Sequence, residues 1–172
     1  MLIDNTPEYT NIWNQVYEKL KFSPSCIYRG HSMNVPLPFQ IPEIYAVYGI
    51  DSMTDSQIDL LSLKMPEILI SVTESGQKIY ALDWQHSAFL FDPRKSEEMK
   101  SFRKEDERYA DGGYSVYFPA FLPDGDYYFF IGQNFQFGYL GHPWRQEVWI
   151  FGEKLLTEIE KVYPEFGWNK IK

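Results

Sequence analysis

A chain of 172 residues, 44% hydrophobic and 18% aromatic, can bury a real core and has the size of one domain. Its formal net charge of −8, from 24 acidic and 16 basic residues, disfavours nucleic acid, whose affinity rests on Lys and Arg at phosphates. The single cysteine, Cys26, allows no intrachain disulfide and suits a reducing cytosol; no apolar run reaches the roughly 18 residues of a membrane span, and MLIDNTPEYT lacks a signal peptide's basic-then-apolar pattern.

Thr6-Pro7-Glu8 supplies a hydroxyl N-cap, a proline at the first helical position and a first-turn carboxylate. Ile12, Trp13, Val16, Tyr17 and Leu20 then share one face, which predicts an amphipathic helix over Pro7 to Leu20. Prolines 24, 36, 38 and 42 exclude long regular elements over the next segment. Short extended pieces are expected near Cys26 to Arg29 and Tyr45 to Tyr48, with Cys26 itself buried, as lone cysteines commonly are.

Thr54 or Asp55 caps a short helix through Ile58, Leu60 and Leu61. Met65-Pro66-Glu67 reads as a second helix start leading to Ile68, Leu69 and Val72, although Ile68 to Val72 also suits a strand. Lys78 to Trp84 and Ser87 to Phe91 are expected strands. Arg94 to Arg108, with six basic and five acidic residues, reads as a solvated, partly helical and mobile excursion.

Four aromatic-rich runs follow: Tyr114 to Phe121, Asp126 to Ile131, Phe135 to Tyr139 and Glu147 to Phe151. Their connections are too short for crossover helices, so an antiparallel meander of about six strands is expected. Phe135, Phe137 and Tyr139 alternate onto one face. In the second run Tyr127, Phe129 and Ile131 oppose Tyr128 and Phe130, so the sheet should be covered on both sides there, with Trp149 or Tyr128 in the core. A last helix begins after Gly152 and stops at Pro164. The whole, residues 1–172, reads as one α+β domain, with the N- and C-terminal helices packed on one face of the sheet.

The chemical signals are few. His31, His86 and His142 stand in no HxH or HExxH spacing, and neither a metal nor another cofactor is expected. Two histidines meeting in space with Asp83, Asp126 or Glu147 would be the exception. Asp83 and His86 can do acid–base work at a sheet end, but a turn in which Asp83 caps backbone amides is favoured. Gly141-His142-Pro143-Trp144 either floors a pocket or forms a rigid corner. A polar pocket, if present, would draw on Asp83, His86, His142, Trp144 and Arg145. No GxSxG, GxGxxG or phosphate loop is present, so an enzyme is not indicated.

YALDWQH at Tyr80 to His86 and PDGDYYFFIGQNFQFGYLGHPWRQEVWIFGEKLL at Pro123 to Leu156 resemble the bacterial family called domain of unknown function 2716. That resemblance implies a small bacterial cytosolic protein, often from Gram-positive bacteria, and brings no activity or catalytic residue. Size, acidity and aromatic sheet are also similar in style to bacterial immunity proteins of the SUKH superfamily. The leading expectation is a non-enzymatic module that binds a basic protein through an acidic face at Asp51, Asp55 and Asp59. The alternative is a small-molecule-binding protein or hydrolase.

Overall fold

The computed structural model describes residues 1–4, 6–26, 37–105 and 112–172. Helix α1, Pro7–Lys19, starts as its sequence dictates: Thr6 Oγ1 accepts the Tyr9 N–H at 3.2 Å. Strand β1, Tyr45–Gly49, leads to helix α2, Asp55–Val72. The Thr54 N–H donates to Gln57 Oε1 at 2.9 Å, half of a capping box.

The expectation of two helices here is corrected, because α2 runs unbroken through Pro66. An interior proline costs about 3 kcal/mol. The buried row Leu61, Met65, Ile68, Leu69 and Val72 spans the proline on both sides. At about 1.5–3 kcal/mol for each large apolar side chain buried, that row outweighs the lost bond.

Strands β2, Ile79–Asp83, and β3, Ser87–Phe91, form a hairpin. A 3₁₀ turn at Ser96–Glu98 and strand β4, Phe102–Glu105, occupy the described part of the charged excursion, so it holds a strand as well as a short helical turn. Its residues 106–108 lie outside the described residues, as do 27–36, with the expected extended piece to Arg29 and His31. Strand β5, Gly113–Val116, pairs with β4 in a separate two-stranded sheet, so the first aromatic run does not join the meander.

Strands β6, Tyr128–Gly132, β7, Gly138–His142, and β8, Glu147–Phe151, do form the meander. Helix α3, Glu153–Val162, follows Gly152, and a two-residue strand β9, Asn169–Lys170, comes last. The sheet has seven strands in the order β3-β2-β6-β7-β8-β1-β9, every pair antiparallel. This is the expected α+β class with one strand more.

Strand alternation divides the core into two layers. Ala81, Phe89, Phe91, Phe130, Tyr139, Val148 and Ile150 face α2, α3 and the C-terminal Phe166 and Trp168. Leu82, Leu90, Phe129, Ile131, Leu140, Trp149 and Phe151 face α1, Phe22 and Phe39. Helices therefore cover both faces: the expectation that they pack on one face is corrected, and the expected double-sided core stands. An aromatic sheet apolar on both sides needs both.

Three local readings also change. Phe135 has φ 59 and sits in the turn before β7, where its N–H donates to the Gly132 carbonyl at 2.8 Å. It packs in the α1 layer while Phe137 packs in the α2 layer, so the two do not share a face. Trp149 is buried as expected, but Tyr128 is only half-buried and its neighbour Tyr127 takes the core position. Cys26 is exposed, not buried. Among the described residues, no helix is long and apolar enough to cross a membrane.

Candidate functional site

The β2–β3 turn carries the first cluster. Asp83 ends β2 on the same face as Ile79 and Ala81, and its carbonyl accepts the His86 N–H at 3.1 Å. Gln85 takes φ 65, which closes the turn and brings the His86 ring back over the strand end. β6 pairs with β2, placing Tyr128 opposite Asp83 and Asp126 beside the turn. His86 Nδ1 lies 3.1 Å from Asp83 Oδ1 and 3.0 Å from Asp126 Oδ2. The expected Asp83 cap is thus replaced by a side-chain contact with the imidazole.

The two carboxylates are 13% and 15% exposed, whereas the His86 side chain is 66% exposed. Burial pushes the Asp83 pKa up to about 6, against the pull of His86, and burial also raises Asp126. Burial draws the His86 imidazole down, but the hydrogen bonds and charges of Asp83 and Asp126 outweigh it, and its pKa is raised. The cluster forms part of a cleft of about 620 Å³. Asp124 and the tyrosines 114, 117 and 128 also line it, and none of its described lining residues is Lys or Arg.

The second cluster lies on the opposite face. His142 is fully buried at the end of β7, on the α1 side of the sheet with Leu140 and Tyr127. Its Nδ1 accepts the Arg145 N–H at 3.3 Å, so Nε2 carries the proton and donates to Tyr127 Oη at 3.0 Å. Tyr127 in turn donates to the Ser25 carbonyl at 2.8 Å and accepts the Ser25 N–H at 2.7 Å. Trp144 packs on Tyr127 with ring centroids 5.4 Å apart. Arg145 forks onto Glu147, at 2.8 Å from Nε and 3.2 Å from Nη2, and Glu147 also accepts from Trp149 Nε1 at 3.1 Å.

The five candidate pocket residues therefore divide: Asp83 and His86 in the cleft, His142, Trp144 and Arg145 in a buried brace across the sheet. Among the described histidines, His86 and His142 do not meet. Asp126, forty positions from His86, completes the cleft cluster, and no short motif encodes such a spacing. On the surface, Asp51, Asp55 and Asp59 are all exposed, and Asp55 and Asp59 stand one turn apart on α2.

The buried brace makes a pH prediction. Burial, helped by the Arg145 charge, lowers the His142 pKa to about 3. The unfolded chain, at about 6.5, binds a proton that the folded chain refuses, so stability is lost as pH falls from about 6.5 toward 3. The unfolding free energy from urea melts should drop by about 1 kcal/mol between pH 6 and pH 5 from this group. His142→Gln should flatten that step while lowering stability at pH 7; an unchanged slope would remove His142 as its source.

The family described as Protein of unknown function (DUF2716) matches residues 4–156. The chain is also similar to "Uncharacterized protein YxiI" of Bacillus subtilis (strain 168), 32% identical over 162 residues, which span 92% of this chain and 91% of that protein. No solved structure matches.

Proposed function

The chain belongs to the DUF2716 family, and from that premise we propose that it is a non-enzymatic cytosolic binding protein that docks a basic protein partner on an acidic strip. The observation that carries this reading is continuity of charge. Asp124 lines the cleft together with Asp83 and Asp126, and it also lines a neighbouring groove together with Asp51. Asp55 and Asp59, exposed at the start of α2, follow Asp51 in the chain and extend the strip in this reading. Tyr117, 66% exposed, stands at the cleft edge with Tyr114 and Tyr128. Carboxylates beside aromatic rings suit Lys and Arg, which gain both an ion pair and a cation–π contact. Residues 1–172 act in this reading as one domain, since both core layers share one sheet.

An arginine-rich peptide serves as the test partner, with a glutamate-rich peptide of equal length as the control. Association of the basic peptide should slow as sodium chloride rises from low to physiological, where the screening length is about 8 Å. Reversing charge at Asp55 and Asp59 should act mainly on the on-rate. Salt-independent kinetics, or equal binding of the acidic peptide, would sink the reading.

A further inference from the structure

We propose that Asp83, His86 and Asp126 form a binding site for a divalent transition-metal ion of the zinc class, with its remaining coordination positions open to the cleft. Each residue offers one ligand atom, and the three atoms lie within 4.8 Å of one another. The two nitrogen-to-oxygen spacings are 3.0 and 3.1 Å. An ion about 2.0–2.2 Å from nitrogen and oxygen ligands holds neighbouring donors about 3 Å apart, so an ion can replace the Nδ1 proton with little movement.

The donor set selects the ion. An imidazole with two carboxylates suits zinc, manganese or iron, whereas calcium and magnesium take oxygen. The frame is firm: Asp83 ends a strand paired on both sides, His86 closes a tight hairpin, and Asp126 immediately precedes the buried Tyr127. Asp126 Oδ1 accepts the Tyr127 N–H at 2.7 Å, which turns Oδ2 toward His86. Such an outer hydrogen bond orients a metal-ligating carboxylate. Two carboxylates so little exposed are costly to hold charged without a cation, and His86 alone brings at most one positive charge. The cleft leaves room for water or a ligand atom on the ion.

A protonated His86 bridging two carboxylates explains the same contacts without an ion, and the experiment separates the two. Chelator-treated protein is dialysed against zinc or cobalt, with magnesium and calcium as controls, and bound metal is measured by elemental analysis. We expect about one equivalent of zinc or cobalt, a cobalt absorption band, and at least tenfold weaker binding in His86→Gln and Asp126→Asn. His86→Gln keeps a hydrogen-bonding side chain at an exposed position, and its fold is checked by circular dichroism. Should a variant fail to fold, paramagnetic cobalt added to the wild type should broaden the His86 ring signal and spare that of His142. Less than about a tenth of an equivalent bound, equal binding in the folded variants, or broadening that spares His86 would overturn the site. The inference goes beyond partner docking, and peptide binding by the metal-free protein is read separately, so each can fail alone.

Discussion

Trp149→Ala is expected to lower stability by about 3–5 kcal/mol, a large part of what a domain of this size possesses. Trp149 is 2% exposed at the middle of β8, opposite Val47 and Leu140. Its ring stacks on Tyr45, with centroids 5.4 Å apart, and meets Phe39 edge-on at 5.5 Å. Alanine leaves a cavity in the α1-side layer between Phe39 and Tyr45, over strands whose pairing holds the sheet in place. It also removes the indole donor from Glu147. Urea melts of the purified variant measure the loss, and a wild-type midpoint would contradict the two-layer core.

Arg145→Ala should cost a comparable amount, about 3–5 kcal/mol on the scale of a broken buried ion pair. The Glu147 side chain is 2% exposed, and Arg145 supplies it with two charge-assisted hydrogen bonds. Stripping the guanidinium from a carboxylate so deep leaves that carboxylate's desolvation cost in place. Arg145→Lys should fall between, since an ammonium cannot reproduce the fork. Because Trp149 and Arg145 converge on Glu147, the two alanine changes should not add. A double variant whose loss equals the sum would show that the carboxylate does not couple them.

What the sequence disclosed follows from where local rules suffice. Thr6-Pro7-Glu8 fixed the start of α1, and β3 and β8 run over the stretches their patterns delimit. Alternation in Tyr127 to Ile131 foretold two covered faces, although the core takes Tyr127 in place of Tyr128. Local rules failed wherever distant packing decided. Pro66 reads as a boundary until the buried row of α2 is seen to cross it. The Tyr114 run has a strand's composition, but nothing in it states that its partner is β4 and not the main sheet. Phe135 fits a period-two pattern and yet occupies a turn at positive φ.

The candidate site shows the same division. Asp83 and His86 were visible because they are neighbours in sequence, and their pairing with His142 fails because one-residue alternation sends the two to opposite faces. Asp126 belongs to the cluster only through the pairing of β2 with β6. Its signal was the Asp124-Gly125-Asp126 turn, which reads by itself as a hairpin.

The strand order carries a consequence for the growing chain. β1 lies between β8 and β9, so Ala46 waits for Ile150, about a hundred residues later, before its backbone finds a neighbour. β2 and β3 can pair at once, and β6, β7 and β8 can zip locally, but β1 can be stitched in only after β8, Glu147–Phe151, has left the ribosome. Ala46-Val47-Tyr48, buried in the finished sheet, is exposed throughout that interval. It is the stretch a chaperone would grip, and the one through which unfinished chains would stick to each other.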